Sequence, residues 1–157
     1  MRIIGCGNRE RGDDGAGLLL VERLRQLNVS SGDGETLGLR MATCTGEATE
    51  LMDAWGSDDD VIIVDAVVTG ASPGTVHQWN GEVPHRSGGP SASTHGLGVE
   101  EAIRLARALG RCPKALRVYG IEGTQFDHGS EISPPVRLAV EEVARQISAE
   151  IRALQLG

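Results

Sequence analysis

The segment 61–67, with the sequence VIIVDAV, places the strongest constraint on the fold of this chain. Six of its seven residues are apolar, and they do not alternate with polar ones. A short continuous apolar run is typical of a strand that is buried on both faces. Such strands lie in the middle of parallel sheets that helices cover on each side. The single polar residue, Asp65, stands near the carboxyl end of the predicted strand.

The surrounding segments alternate between strand and helix patterns, which is typical of an open α/β sheet. We predict a three-layer αβα fold, in which helices cover both faces of an open, twisted, mostly parallel sheet. Residues 1–157 are expected to form a single domain. Further strands are predicted at 2–6, 37–44, 75–79 and 115–121, and helices at 47–55 and 99–109. A first helix carries an apolar stripe formed by Leu18, Leu20, Val21, Leu24 and Leu27. A last helix has Ser133 as N-cap, Pro134 and Pro135 in its first turn, and a stripe formed by Val136, Val140, Val143, Ile147, Ile151 and Leu154.

Composition excludes several classes of function. The chain has 15 Lys and Arg against 22 Asp and Glu, a net charge of -7, and no basic run interleaved with aromatic residues, so we expect no nucleic-acid partner. Its apolar stretches fall short of the roughly 18 residues that a membrane helix needs, so we expect no membrane partner either. Three cysteines at unrelated spacings favour neither a disulfide framework nor a zinc ribbon. A reducing cytoplasm is the expected location.

The glycine-rich segment GCGNRERGDDGAG, which follows the first strand, fails two tests for a phosphate site. Glu10 occupies the place where a dinucleotide fingerprint has its third glycine. A P-loop ends in Gly-Lys-Ser or Gly-Lys-Thr, whereas Gly12 is followed by Asp13 and Asp14, which would repel phosphate. The acidic pair is therefore either a helix cap or a set of ligands for a cation.

Three residues from separate segments can meet at one edge of the predicted sheet. Ligands bind beyond the carboxyl ends of the strands in open α/β sheets, and Asp14, Asp65 and His95 all fall near such ends. Two carboxylates and an imidazole suit a divalent transition metal such as nickel or zinc and leave coordination positions open. The alternative is a turn or cap role for Asp65 and a surface position for His95, which closes the Gly-, Pro- and Ser-rich segment 81–94. The other histidines, His77, His85 and His128, are interpreted as surface residues.

Four segments, GCGNRERGDDGAG, VIIVDAV, STHGLG and YGIEGTQFDHGSEISPPVRLAV, resemble the hydrogenase maturation endopeptidases in order and spacing. These enzymes trim a C-terminal extension from the large subunit of nickel-iron hydrogenases after nickel insertion. The resemblance implies a twisted sheet between helices, with Asp14, Asp65 and His95 as the nickel-contacting, catalytic residues. It also implies that Asn8, Asp13 and Gly46 are neighbouring substrate-binding residues. The nickel would be borne by the substrate and bound only transiently, without a permanent cofactor, and the partner would be the precursor large subunit. The free protein is expected to be a monomer.

Within the acidic pair, Asp14 is interpreted as the ligand and Asp13 as the capping residue. An asparagine at position 13 is therefore expected to preserve the cap, because its amide oxygen still accepts a hydrogen bond.

The chain departs from the family pattern at three places, and these leave other functions open. It has ATCTGEA where many members have Gly-Gly-Thr, a charged segment at 9–11, and Cys6 beside the predicted site. One alternative is a nickel-handling or docking module that does not cleave its partner. Another is a different small α/β hydrolase. Serine, thermolysin-like and papain-like chemistry have no motif here, and the sequence leaves open whether the nickel ion polarises the scissile carbonyl or a carboxylate activates water.

Overall fold

A mixed sheet of five strands organises the described part of the chain. The computed structural model describes residues 1–27, 39–57, 59–81 and 97–156. The strands are β1 (Arg2–Cys6), β2 (Arg40–Cys44), β3 (Asp60–Val67), β4 (Val76–Asn80) and β5 (Ala115–Glu122). The helices are α1 (Ala16–Gln26), α2 (Ala48–Asp53), α3 (Leu97–Ala108) and α4 (Pro134–Leu156), and a 3₁₀ helix at Gly12–Gly15 precedes α1.

The strand order is β2-β1-β3-β5-β4, so the predicted central strand β3 lies in the middle of the sheet. Strands β2, β1, β3 and β5 are parallel, and β4 pairs antiparallel with β5 at the edge. The mostly parallel sheet predicted from the sequence is thereby confirmed. Because β1 and β3 are neighbours but lead to opposite halves of the sheet, their carboxyl ends form the switch point at which open α/β sheets bind ligands.

Helices cover both faces of the sheet, which confirms the predicted three-layer α/β arrangement. Alternate residues of β3 divide between the two faces, since successive side chains of a strand point to opposite sides. Ile62 and Val64 pack in the core cluster that contains residues of α1 and α4. Val61 and Ile63 pack in the second cluster, beneath α2 and α3.

Two glycines allow α1 to lie directly on the sheet. A Cβ atom at Gly17 would lie 2.3 Å from the carbonyl oxygen of Val64 and 2.6 Å from that of Cys6. A Cβ atom at Gly5 would lie 2.2 Å from the carbonyl oxygen of Gly17. Gly5 and Gly17 therefore allow close packing of α1 on the sheet, and this packing sets the position of the loop between β1 and α1.

Several predicted boundaries shift in the structure. Helix α2 is shorter than the predicted 47–55, α3 starts two residues earlier than predicted, and β4 starts one residue later. In the first apolar stripe, Leu18 and Leu27 are only half-buried. The prediction that Leu154 belongs to the buried stripe of α4 is wrong, because this side chain is 59% exposed. At about 1.5 Å per residue, α4 is longer than the strands of about 3.3 Å per residue that it covers, so its last turn extends past the sheet.

No helix of the described ranges is long and apolar enough to cross a membrane. Part of the predicted strand 37–44, most of the segment 81–94, His85 and His95 lie outside the described residues.

Candidate active site

Asp65 lies inside β3, two residues before the strand ends. The strand continues through Ala66 and Val67, so the alternative that Asp65 is a turn or cap residue is wrong. Its side chain is 6% exposed, and its Oδ1 accepts a hydrogen bond of 2.8 Å from the backbone N–H of Ala66. A carboxylate is thus held inside the central strand at the carboxyl end of the sheet.

Asp14 is held in the 3₁₀ helix by the loop that leaves β1. The backbone N–H of Asn8 donates to the Asp14 carbonyl oxygen at 3.2 Å and to its Oδ2 at 3.0 Å. This fold-back requires Gly7, which has φ +139° and whose Cβ atom, if present, would lie 1.8 Å from the Asp14 carbonyl oxygen. Asp14 is 7% exposed. The sequence GCGN therefore ends β1 and turns the chain back onto the second acidic residue.

The fold brings the segments that carry Asp14 and Asp65 to the same edge of the sheet. The 3₁₀ helix that contains Asp14 contacts β3, which contains Asp65. The first segment follows β1 and the second ends β3, so both stand at the β1–β3 switch point. Two largely buried carboxylates at this position can bind a cation or position a water molecule.

Asp13 is completely buried and does not cap α1. Its Oδ2 accepts hydrogen bonds of 2.9 Å from the backbone N–H groups of Thr124 and Gln125. Its Oδ1 accepts from the Ser133 backbone N–H at 2.7 Å and from the Ser133 hydroxyl at 2.9 Å. The prediction that Asp13 is a helix cap is therefore wrong: its carboxylate fastens the loop between β5 and α4 to the loop that carries Asp14. Ser133 occupies the predicted N-cap position of α4, which begins at Pro134, but its hydroxyl donates to Asp13.

Asn8 and Gly46, the other predicted substrate-binding residues, border the same edge. Asn8 is exposed, and its Oδ1 accepts a hydrogen bond of 2.9 Å from the backbone N–H of Glu10. A Cβ atom built on Gly46 would lie 3.9 Å from the Cβ of Cys6. The first turn of α3 packs here too, since a Cβ atom on Gly98 would lie 1.6 Å from the Gly46 carbonyl oxygen. His95, the third predicted ligand, lies outside the described residues, so its position relative to Asp14 and Asp65 stays a prediction.

Two cysteines that the sequence does not pair lie side by side next to Asp65. Cys6 and Cys44 are register partners in β1 and β2, and their Sγ atoms are 3.2 Å apart. The hydrogen bond with Cys44, burial and the negative charge of Asp65 raise the pKa of the Cys6 thiol well above its ordinary value. The hydrogen bond with Cys6 lowers the pKa of Cys44. When Cys44 is ionised, the Cys6 thiol can therefore donate to its sulfur.

Glu122, at the end of β5, is a buried carboxylate that the sequence interpretation missed. It is 1% exposed, and it accepts hydrogen bonds from the Thr69 backbone N–H at 2.8 Å and from the Thr69 hydroxyl. The Nε2 atom of His77 lies 3.2 Å from its Oε1, and the His77 ring stacks on Trp79 with centroids 5.4 Å apart. The available signal was an acidic residue at the end of an apolar strand, the same signal that identified Asp65. His77, interpreted from the sequence as a surface residue, is half-buried, with 23% of its side chain exposed.

No group of three or more His, Cys, Asp or Glu side chains suited to a metal ion occurs within the ranges 1–27, 39–57, 59–81 and 97–156. The described part of the site thus contains two of the three predicted ligands, Asp14 and Asp65.

Comparison with known proteins identifies the family. A family model described as HycI, hydrogenase maturation protease, matches residues 45–150. The hydrogenase expression/formation protein HupD of Bradyrhizobium diazoefficiens is 33% identical, with 94% of this chain and 77% of the relative covered. HupD of Rhodobacter capsulatus is 30% identical, with 96% of this chain and 70% of the relative covered.

Solved structures show the same fold. The hydrogenase maturating endopeptidase HybD from E. coli superimposes with a TM-score of 0.74 at 23% identity, over 97% of this chain and 91% of that chain. The [NiFe] hydrogenase maturation protease HybD from Thermococcus kodakarensis gives a TM-score of 0.68 at 21% identity, over 96% of this chain and 97% of that chain. The matched family model covers more than half of the chain and includes Asp65. The chain belongs to the hydrogenase maturation protease family and is, by class, a peptidase.

Proposed function

We propose that this chain is the endopeptidase that removes a C-terminal extension from the precursor large subunit of a nickel-iron hydrogenase. We further propose that it recognises the nickel ion already bound to that subunit through Asp14, Asp65 and His95. The observation that carries the proposal is the placement of Asp14 and Asp65, 7% and 6% exposed, at the switch point of a hydrogenase maturation protease fold.

The arrangement of the two carboxylates supports a role at an ion that arrives with the substrate. Asp14 is held by the backbone of Asn8, and Asp65 is held within β3, so their oxygens are ordered before any ligand binds. Preorganised ligands reduce the free energy lost on binding. Two carboxylates alone do not complete the shell of a transition metal. A substrate that brings the ion together with its own ligands supplies the remainder.

The proposed peptide hydrolysis depends on holding the scissile peptide close to the two carboxylates. Nickel seated between substrate and enzyme would hold the adjoining peptide beside Asp14 and Asp65, which is catalysis by positioning. A carboxylate at this place can accept a proton from the attacking water, and the ion can polarise the scissile carbonyl. Asn8 and Gly46 border the same edge of the sheet as the carboxylates, and we propose that they contact the extended C-terminal segment of the substrate.

The test uses nickel-loaded and nickel-free precursor subunit with protease that has been stripped by a chelator and then freed of it. We expect the nickel-loaded precursor alone to be shortened, as measured by intact-protein mass spectrometry. Equal processing of the nickel-free precursor, or a need to add metal to the protease itself, would contradict nickel recognition. An unshortened nickel-loaded precursor that still binds the protein would favour the docking-module alternative.

Variants of β3 provide a matched pair for the same assay. Asp65→Asn should slow processing by about 100-fold or more, because the amide is a poor ligand and no base. Asp60→Asn changes an exposed carboxylate of the same strand and should process at the wild-type rate. Asp14→Asn and His95→Ala should resemble Asp65→Asn, with unchanged circular dichroism spectra. Full processing by Asp65→Asn would refute the site.

The cytoplasm is the proposed location, since three cysteines at unrelated spacings do not form the disulfide framework of a secreted domain. Fractionation of the host cells tests this location.

The free protease is proposed to be a monomer, and sedimentation at several protein concentrations would measure its oligomeric state.

A further inference from the structure

We propose that Cys6 and Cys44 are a site of reversible oxidation, at which a small disulfide such as oxidised glutathione converts the two thiols into an intramolecular disulfide beside Asp65. This modification is separate from the protease chemistry described above.

The backbone already holds the two cysteines at a distance that a disulfide can span. They are register partners on neighbouring parallel strands, which lie about 4.8 Å apart, and disulfides join Cα atoms that are roughly 4.4–6.8 Å apart. The Sγ atoms are 3.2 Å apart, so a bond of about 2.05 Å requires an approach of only about 1 Å. Rotation about the Cα–Cβ bonds of the two cysteines can supply much of this change.

The two thiols are suited to different steps of the exchange. Cys44 is 7% exposed and Cys6 is completely buried, so an external disulfide reaches Cys44 first. The thiolate of this residue is the attacking species. Its Sγ attacks a sulfur of oxidised glutathione, which forms a mixed disulfide and releases one glutathione thiolate.

The second step uses the contact between the two sulfurs. Cys6 loses its proton to solvent or to the departing thiolate and attacks the Sγ of Cys44. The bond between Cys44 and glutathione breaks, and the second glutathione leaves. In total two thiols of the protein are oxidised and one glutathione disulfide is reduced to two glutathione thiols.

The disulfide would lie next to the candidate active site. Gly5 of β1 pairs with Val64 of β3, so the next position along each strand places Cys6 beside Asp65. The backbone N–H of Gly7 donates to the Cys44 carbonyl oxygen at 3.0 Å, and Gly7 begins the loop that ends at Asp14. Movement of the two sulfurs therefore acts on the base of this loop. The resulting loss of protease activity rests on the proposed function, whereas formation of the disulfide does not.

The experiment treats the full-length protein with oxidised glutathione and then blocks the remaining thiols with an alkylating reagent. Peptide mapping by mass spectrometry should find a peptide pair linked through Cys6 and Cys44, which dithiothreitol separates. Cys112 is exposed and serves as the internal control, since it can form only a glutathione adduct or remain reduced. The variant Cys112→Ser should form the same linked pair.

Two single variants distinguish the order of steps. Cys6→Ser should accumulate a stable glutathione adduct on Cys44, because the attacking thiol of the second step is missing. Cys44→Ser should leave Cys6 reduced, because Cys6 is buried. A wild-type protein that retains a glutathione adduct on Cys44, or that shows modified Cys112 but no linked pair, would overturn the proposal.

A processing assay tests whether the disulfide affects the active site, and its outcomes are independent of whether the disulfide forms. Oxidised wild-type protease should process nickel-loaded precursor at least about 10-fold more slowly than reduced protease, with recovery after dithiothreitol. Cys44→Ser should show the same rate before and after glutathione treatment. A linked pair with unchanged processing would confirm the oxidation site and refute its effect on the active site. Inactivity of the reduced protein would count against the proposed function and leave the oxidation site standing.

Discussion

Replacement of Asp13 by asparagine tests whether Asp13 holds the β5–α4 loop in place while Asp14 serves the candidate active site. Both carboxylate oxygens are occupied: Oδ2 accepts from the N–H groups of Thr124 and Gln125, and Oδ1 accepts from the N–H and hydroxyl of Ser133. An asparagine side chain has one oxygen, and its amino group is a donor. In either orientation this amino group faces at least one backbone N–H. The contacts reverse the expectation that asparagine is tolerated at position 13.

The magnitude follows from the better of the two orientations. If the amide oxygen faces Thr124 and Gln125, one buried N–H, that of Ser133, loses its acceptor, and its hydroxyl can rotate to accept from the amide. A buried donor without a partner costs about 1–3 kcal/mol, and replacing a charged acceptor by a neutral one weakens the hydrogen bonds that remain. We expect Asp13→Asn to lower the free energy of unfolding by about 2–4 kcal/mol. For a chain of this length, about 3 kcal/mol corresponds to a fall in Tm of roughly 6–12 °C.

The assay is urea unfolding followed by the fluorescence of Trp55 and Trp79, with Asp53→Asn as control. Asp53 is exposed and forms a surface ion pair of 3.4 Å with Arg111, so its replacement should change stability by less than about 0.5 kcal/mol. Hydrogen exchange should also quicken at residues 124–133 in Asp13→Asn. An Asp13→Asn protein as stable as Asp53→Asn would refute the conclusion that this carboxylate holds the β5–α4 loop.

Two further predictions concern backbone geometry and the core. Gly7→Ala should lower the free energy of unfolding by about 2 kcal/mol or more, and it should also lower processing activity. The added Cβ would lie 1.8 Å from the Asp14 carbonyl oxygen, and the φ of this residue is +139°. Unchanged thermal unfolding would contradict this prediction. Ile147→Ala should cost about 2–5 kcal/mol, since the side chain is fully buried. The control is Leu154→Ala, because Leu154 lies on the same helix but is 59% exposed. This variant should lose less than about 0.5 kcal/mol in the same urea titration. Equal losses for the two variants would show that the end of α4 is packed.

The sequence predicted the layers well because hydrophobic periodicity reports burial directly. The run VIIVDAV identified β3 as the central strand, since helices cover both of its faces. The stripe of α4 was correct up to Ile151 and failed at Leu154. Periodicity shows which side of a helix is apolar but not where the sheet beneath it ends. Segment boundaries at α2 and α3 shifted for the related reason that terminal turns depend on tertiary contacts.

Contacts between segments distant in sequence were beyond a single-sequence interpretation. Asp13 and Ser133 were each assigned to a local helix end, because capping explains such residues without reference to the rest of the chain. They bind each other across 120 positions. Cys6 and Cys44 are 38 positions apart and meet because β1 pairs with β2 in one particular register. Register is set by the whole sheet, so spacing along the chain did not reveal this pair.

The acidic pair acquires two roles because a 3₁₀ helix separates neighbouring side chains. With about three residues per turn, Asp13 and Asp14 point in directions roughly 120° apart. One direction leads to the β5–α4 loop, which donates hydrogen bonds to Asp13 from both ends. The other leads back to the β1 loop, where Asn8 holds Asp14. The first carboxylate thereby joins two loops of the carboxyl edge, and the second is fixed at their junction beside β3. A shift of the pair by one residue would leave one of these two environments without a carboxylate, so the spacing between Gly7 and the acidic pair is itself part of the site.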